Sequence, residues 1–536
     1  MCRLLFILIS LLIFSGSIFA ESDMPIIEMK ADRTMIYPQR MELTGEETLM
    51  DILQMVPDLM IAGYEDVISK YNLRIDNCPI NGDTRLILRQ MKARDIAKIQ
   101  VCDNTGVAKG TIGTGRVLDI NMQMPDALKG FVEGQGHLGN DVEGIGAVNA
   151  LYGSKSTDLY ANASYRHQDG NEEYLTLHMT NRFDDHNKLL TYFTQQYLDL
   201  PSGMSRKVMG RARFFHTFND VGTELLVVGG YQYASDAALS NKLPLYIVEL
   251  NTPLLTQQLS MMLGAEGDFL MTKQKDTDRN WNAFNNDVYL QFTYALPQWK
   301  FTIGNRVMFY NYKLTDFGIS QKHADTRDNA NACVIYVPDS RNQIQLGFFR
   351  KYYNPSYTAL FTNAVTLSDE EWAVTKGQLV EQTVNQMKLA YAYSKQKLTV
   401  QTEASYYVAE DRENFTELGA SAYWKTMVST NRPNGLSLTG GSNLYAAKSG
   451  TYASFRIAPT AYLSHTWQIG MQVVYYTKNS PRREVTGVPV YGCLSVNKQL
   501  GNSWNLGVDW HDMFDVMCSD ATVNRHAANI KLQYRF

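Results

Sequence analysis

The chain has 536 residues, 45% of them hydrophobic by type, with 32 Tyr, 22 Phe and 7 Trp against only 15 Pro. A formal net charge of −4 is too small to point to a nucleic-acid or acidic-substrate partner. Beyond the first twenty residues no apolar run approaches the roughly 18 residues of a spanning helix, and the mean hydropathy of −0.27 is too low for a helical membrane bundle.

In chain order, Met1–Cys2–Arg3 leads into an apolar run from Leu4 to Phe14, then small residues, then Ala20–Glu21. One positive charge, a short apolar core and a small residue before the cut describe a secretory signal over residues 1–20. Residues 21–43 read as an N-terminal periplasmic segment, in which Ile26, Ile27, Glu28 and Met29 form the one short apolar stretch.

Residues 44–129 read as a small α/β unit. Thr48, Leu49, Ile52, Leu53 and Val56 have helical spacing, closed by Pro57. Tyr71–Asp83 reads as strand, turn and exit, Ala93–Val101 as a helix end feeding a strand, and Gly113–Asn121 as a glycine-rich turn into another strand.

From Gly130 to Phe536 the pattern changes to period 2, which argues for strands. Leu159, Ala161, Ala163 and Tyr165 alternate with polar residues, as do Trp504, Leu506, Val508 and Trp510. At the end, Ile530, Leu532, Tyr534 and Phe536 alternate with Asn529, Lys531, Gln533 and Arg535. Membrane barrels alternate in this way because one face meets lipid and the other the lumen. Long and short connections alternate backward from the C-terminus, as in barrels with short periplasmic turns and longer outer loops. Examples are Asp515–Asn524 against Gly501–Ser503, Phe361–Val380 against the turn near Asn342, and Lys273–Trp281 against Thr256–Gln258. The expected fold is mainly β: an antiparallel transmembrane barrel of about 22 strands over residues 130–536, with the α/β unit ahead of it. Tyr534 and Phe536 resemble the terminal signal read by barrel-assembly machinery, which with outer-membrane lipid is an expected partner.

The order of motifs in the α/β unit resembles the plug domain of TonB-dependent outer-membrane receptors. The helix ending in Val-Pro stands here as Val56–Pro57, and the plug hairpin as Ile75–Asp76–Asn77–Cys78–Pro79. The helix-to-strand unit is Asp95–Val101, with Ile96, Ile99 and Val101 on its apolar face, and the exit strand follows Gly113 and Gly115. Two positions depart from the family pattern. Asn77 stands where the hairpin glycine is usual, and Arg116 replaces the second glycine of the exit motif.

The resemblance implies ligand-gated import of an unidentified nutrient across the outer membrane, with an unknown small ligand and the TonB energy-transducing complex as partners. Ile26–Met29 is then the candidate TonB-contact segment, added as a strand through main-chain bonds. The alternative is a plugged barrel without active transport, acting as a structural or surface-interaction protein. Enzymatic activity is not expected: no metal motif occurs, and the Ser, His and Asp residues define no triad. No cofactor is implied. Cys78 and Cys102 lie in the same small unit and are the candidate disulfide, two buried thiols being the alternative.

Overall fold

The computed structural model describes residues 26–41, 47, 49–54, 72–76, 78–79, 91–102 and 117–123. From 128 to 535 it describes the barrel strands and some of their shorter connections, among them 154–156, 183–186, 296–298 and 337–341. The signal segment 1–20, Val56, Pro57, Asn77, Gly113, Gly115 and Phe536 lie outside the described residues.

The N-terminal unit is a six-stranded sheet with strand order β1-β2-β5-β6-β3-β4. Its strands are β1 (Ile27–Met29), β2 (Arg33–Ile36), β3 (Asn72–Ile75), β4 (Cys78–Pro79), β5 (Ile96–Cys102) and β6 (Val117–Met122), with helix α1 (Leu49–Gln54) beside them. The helical spacing of Leu49, Ile52 and Leu53 has a clear cause: all three are fully buried against the sheet. A 3-10 turn at Ala93–Asp95 feeds β5, whose Ile96, Ile99 and Val101 point into the same core.

Two sequence expectations need correction here. Residues 26–36 are not a separate periplasmic segment, because β2 pairs with β5 from Arg33↔Cys102 to Ile36↔Ile99 and β1 pairs with β2. Ile26, Ile27 and Met29 of this stretch are buried in the sheet's own core. Cys78 and Cys102 are also no disulfide pair. Strands β4 and β5 are separated by β6 and β3, and Cys78 is level with Ile99 rather than Cys102, which puts the two cysteines more than about 14 Å apart. A disulfide requires Cα atoms within about 7 Å.

Twenty-two described strands, from β7 (Lys129–Leu138) to β28 (Ala527–Arg535), close into one antiparallel barrel, β28 pairing with β7 from Ala528↔Leu138 to Arg535↔Phe131. Period 2 decides which side chains meet which medium. Ile530, Leu532 and Tyr534 are 45%, 45% and 43% exposed on the outer face. On β10 (Asn171–Arg182), Leu175 and Leu177 point outward while Thr176, His178 and Thr180 are buried in the lumen. A closed barrel leaves no unpaired strand edge in lipid.

Tight turns gather at one end, among them 154–156, 183–186, 296–298 and 337–341. Two of them share a device: Asp184 accepts from the backbone N–H groups of His186 and Asn187, and Asp339 from those of Arg341 and Asn342. These backbone bonds and those from the Asn187 and Asn342 amides hold both carboxyls below the usual aspartate range. In barrels of this kind the tight-turn end is periplasmic.

The expected alternation of connection lengths is only partly met at the other end. Segments 354–381, 477–489 and 512–526 are long, but 201–202, 317–318 and 448–449 join strands through two residues each. At the stretch expected as a long loop, Lys273–Trp281, pairing extends to Thr272↔Trp281 and Lys273↔Asn280, so the connection itself runs only from 275 to 279. The strands there keep pairing beyond the span that lipid requires.

Candidate functional site: the plug seat and the lumen wall

The sheet of the N-terminal unit sits inside the barrel, and among the described residues three sets of contacts hold it there. The first is apolar: the core around Ile75, Ile99 and Ile120 continues into Tyr174 of β10 and Tyr192 of β11 (Asn187–Leu200). Met209 of β12 (Gly203–Thr217) joins it from the barrel wall.

The second holds the turn between β1 and β2. Ala31 is fully buried against Ala390 and Ala392 of β20 (Gln382–Lys395). Small residues on both sides let the plug backbone approach the wall. The Ala31 N–H donates to Gln343 Oε1 of β19 (Asn342–Tyr353) at 2.8 Å, and Gln401 Nε2 of β21 (Leu398–Asp411) donates to the Lys30 carbonyl at 3.0 Å. Two glutamines thus satisfy main-chain groups that the turn would otherwise bury unpaired.

The third is polar. Asp76, in the turn after β3, adopts φ +48°. Asp tolerates this left-handed backbone because its short polar side chain can bond locally. Here Met122 N–H donates to Asp76 Oδ1 at 3.0 Å. Burial pushes the Asp76 carboxyl up to about 6, with Asp119 adding to the shift while the Met122 and Asn121 bonds and Lys188 oppose it. The other oxygen, Oδ2, lies 3.5 Å from Nδ1 of the buried His178.

The wall itself carries buried charge. Lys388 of β20 and Glu403 of β21 approach to 2.7 Å, with Lys425 of β22 (Thr416–Thr430) at 3.5 Å from the same carboxylate. Towards the outer end, Tyr423 packs at a 30° tilt on Tyr445 of β23 (Gly435–Ala447), which stacks on Tyr452 of β24 (Gly450–Ser464). Their ring centroids are 4.8 and 4.4 Å apart, and Tyr407 of β21 packs beside them. Nothing in the sequence marks this ladder, because its members come from four strands and meet only through register. Among the described residues no group of three His, Cys, Asp or Glu side chains could hold a metal ion.

The residues singled out by sequence fall in different places. Ile26, Ile27 and Met29 are buried in the plug core, and Tyr37 Oη donates to Glu28 at 3.3 Å. Asp76 faces the wall. Pro79 pairs with Arg74 at the far edge of the sheet, away from Ile96, Ile99 and Val101. Tyr534 lies on the lipid face against Trp504 of β27 (Trp504–His511), with centroids 5.0 Å apart.

Solved structures share this arrangement. The siderophore receptor PirA from Pseudomonas aeruginosa superposes with a TM-score of 0.68 at 12% identity, covering 95% of this chain and 100% of that one. The unliganded ferric citrate transporter FecA gives 0.65 at 12%, covering 96% and 100%. The alcaligin receptor FauA from Bordetella pertussis gives 0.65 at 10%, covering 95% of each. The chain has the fold of TonB-dependent outer-membrane receptors. No protein-family model and no curated protein sequence matches it. The receptor fold, not sequence identity, is therefore what it shares with PirA, FecA and FauA, which are receptors and transporters rather than enzymes.

Proposed function

We propose that the chain is an outer-membrane receptor that imports a scarce small ligand when its plug is displaced by a TonB-type partner acting from the periplasm. The observation that carries this reading is the plug itself. A whole sheet fills the lumen, yet it is seated on the wall by an apolar patch, two glutamine bonds and one polar contact rather than by shared strands. Such a seat suits a part that must remain in place at rest and still give way. The tyrosine ladder from Tyr407 to Tyr452 is the ligand surface we favour, since stacked rings offer area at low conformational cost. Ferric complexes are the first ligands to try, because PirA and FecA are described as a siderophore receptor and a ferric citrate transporter.

Growth of a strain lacking this chain, with and without a functional TonB complex, on ferric siderophores, cobalamin, glycans and peptides is the test. A source whose use needs both the chain and TonB supports the proposal. A source used through the chain without TonB contradicts energised import.

A second reading, a plugged barrel without active transport, is favoured by one observation. Ile26, Ile27 and Met29, the candidate TonB-contact residues, are packed into the plug core. β1 is the edge strand of the plug sheet and lies against β20 and β21, so strand addition to a partner requires it first to come away from the wall. On this reading no nutrient source distinguishes the strains, and surface or envelope phenotypes do.

A further inference from the structure

The lipid-facing surface of the barrel changes character on β17 (Trp299–Asp316), β18 (Ile319–Tyr336), β19 and β20. On the neighbouring β16 (Asn280–Ala295) and on β17 itself the apolar belt is tall. It starts beside the periplasmic turns at Tyr294 and Trp299 and still presents Phe284 and Phe309, each ten residues further along its strand. A tilted strand crosses the hydrocarbon in about 9–11 residues, so the belt there covers the lipid layer. On β18 and β19 it stops short. Asp328 stands eight residues from Tyr336, the periplasmic end of β18, and Arg350 eight residues from Asn342, the periplasmic end of β19. Both side chains lie on the outer face, 48% and 35% exposed, at a level where β16 and β17 still meet lipid.

Two polar features of this sector call for a protein surface rather than lipid tails. The first is the charged pair. Ionised side chains at membrane depth are rare and pair with protein groups, yet Asp328 and Arg350 meet loosely. Arg350 Nη1 lies 3.5 Å from Oδ1 and 3.3 Å from Oδ2 of Asp328, at the long limit of a hydrogen bond. Arg350 Nε donates to Asn385 Oδ1 of β20 at 2.9 Å, which fixes the guanidinium and leaves its far end facing outward. The second is the Asn305 amide, exposed on β17 six residues from Trp299, with Ile303 below it and Phe309 above. Its side chain makes no hydrogen bond among the described residues. The lipid-facing Asn286 of β16, by contrast, accepts from Tyr246 Oη of β14 (Leu239–Pro253) at 2.6 Å. Side-chain amides in a bilayer find partners across protein contacts. The relief of the wall leaves room for such a contact. Ala330 pairs with Asn305, and Ala332 lies between Ile303 and Phe348, so β18 is low exactly beside the charged pair.

We propose that two copies of this chain pack together through the β17–β20 face, about a two-fold axis that runs along the membrane normal between β18 and β19. Such an axis keeps height and exchanges left with right. Asp328 and Arg350 are side by side and equally far from the periplasmic ends of their strands. The Asp328 of each copy therefore faces the Arg350 of the other, and two loose pairs become one closed set of two carboxylates and two guanidiniums. A two-fold contact has to be self-complementary in this way. With one charge of each sign, the sector offers little to an anionic headgroup or to a partner of single charge. The inference rests on the barrel and not on import.

The test uses the full chain, expressed as two differently tagged copies and extracted from outer membranes in neutral detergent. Wild-type copies should co-purify. Asp328→Arg places four cations around the axis and Arg350→Asp places four acids there. Each variant alone should self-associate at least about thirtyfold more weakly than wild type. Expressed together, the two variants should associate with each other as wild type does, because every cation then meets an acid across the contact. That recovery separates a contact between copies from a pair that acts only within one barrel. Asp328→Arg/Arg350→Asp, which exchanges the two charges in one chain, should self-associate, and it keeps the test decisive if a single variant fails to insert. Wild-type copies that do not co-purify, or single variants that associate as well as wild type, would overturn the proposal. So would two single variants that stay apart when expressed together, or an exchanged variant that stays single. Heat-modifiable migration of each form reports the barrel separately.

Discussion

Nδ1 of His178 lies 3.5 Å from Oδ2 of Asp76, across the boundary between barrel wall and plug. The approach lacks hydrogen-bond geometry, and neither ring nitrogen of His178 finds a hydrogen-bond partner among the described residues. A buried polar pair left half-satisfied is costly, so this is the point at which the seat is weakest and most open to change.

The Asp76 carboxyl makes seating pH-dependent. Burial raises it from 3.8 to about 6, so the folded state favours the protonated acid. Its contribution is therefore full below about pH 4 and is lost as pH climbs through about 6, a swing of about 3 kcal/mol. Asp76→Asn keeps an acceptor for the Met122 N–H and removes the charge. Between pH 4 and 8 the melting midpoint of the plug in the wild type should fall progressively relative to that of Asp76→Asn. Parallel profiles would show that Asp76 is not the group responsible.

Gln343 should matter more to the plug than to the barrel. Gln343→Leu removes the acceptor of the fully buried Ala31 N–H. An orphaned buried donor costs about 1–3 kcal/mol. Amide exchange at Ala31 and its β1–β2 neighbours should quicken accordingly, while exchange in the barrel ladder stays as it was. Ala390→Met should act in the same direction by overfilling the contact with Ala31. Unchanged exchange in both variants would mean that this turn is held elsewhere.

Glu403 should be the least replaceable side chain of the wall. Its carboxylate lies between Lys388 and Lys425, all three nearly fully buried. Glu403→Gln brings two buried ammonium groups together with the anion gone, and breaking such a site costs about 3–5 kcal/mol. The barrel of this variant should lose its heat-modifiable form at a clearly lower temperature. Lys388→Gln, which leaves one cation for the carboxylate, should lose less. Equal temperatures for Glu403→Gln and wild type would contradict this assignment.

Much of the fold was legible because its signals are local. Period 2 in segments such as Trp504–Trp510 and Ile530–Tyr534 reports two different media on two faces of a strand, and counting such segments gives the barrel size. The Asp-x-x-Asn turns at 184–187 and 339–342 carry their chemistry in four consecutive residues and were there to be read. What stayed hidden depends on register. The ladder joining Tyr423 to Tyr452 is set by cross-strand pairing, and a one-residue slip would send those side chains to the other face. Ile26–Met29 has a related ambiguity: a short apolar strand reads alike whether it completes its own sheet or waits for a partner's. Cys78 and Cys102 are close in sequence region but distant in sheet order, and only the crossover from β3 to β6 reveals it.

The account rests most heavily on the plug closing the lumen, and planar-bilayer conductance tests that directly. Full-length protein reconstituted at neutral pH should be almost silent, and a variant lacking residues 26–123 should open a large, steady conductance. Unfolding the plug in place with urea and then removing the urea should open and reclose the full-length protein. A full-length protein that already conducts as well as the plug-deleted variant would contradict a seated plug, and with it the reading of the chain as a gated receptor.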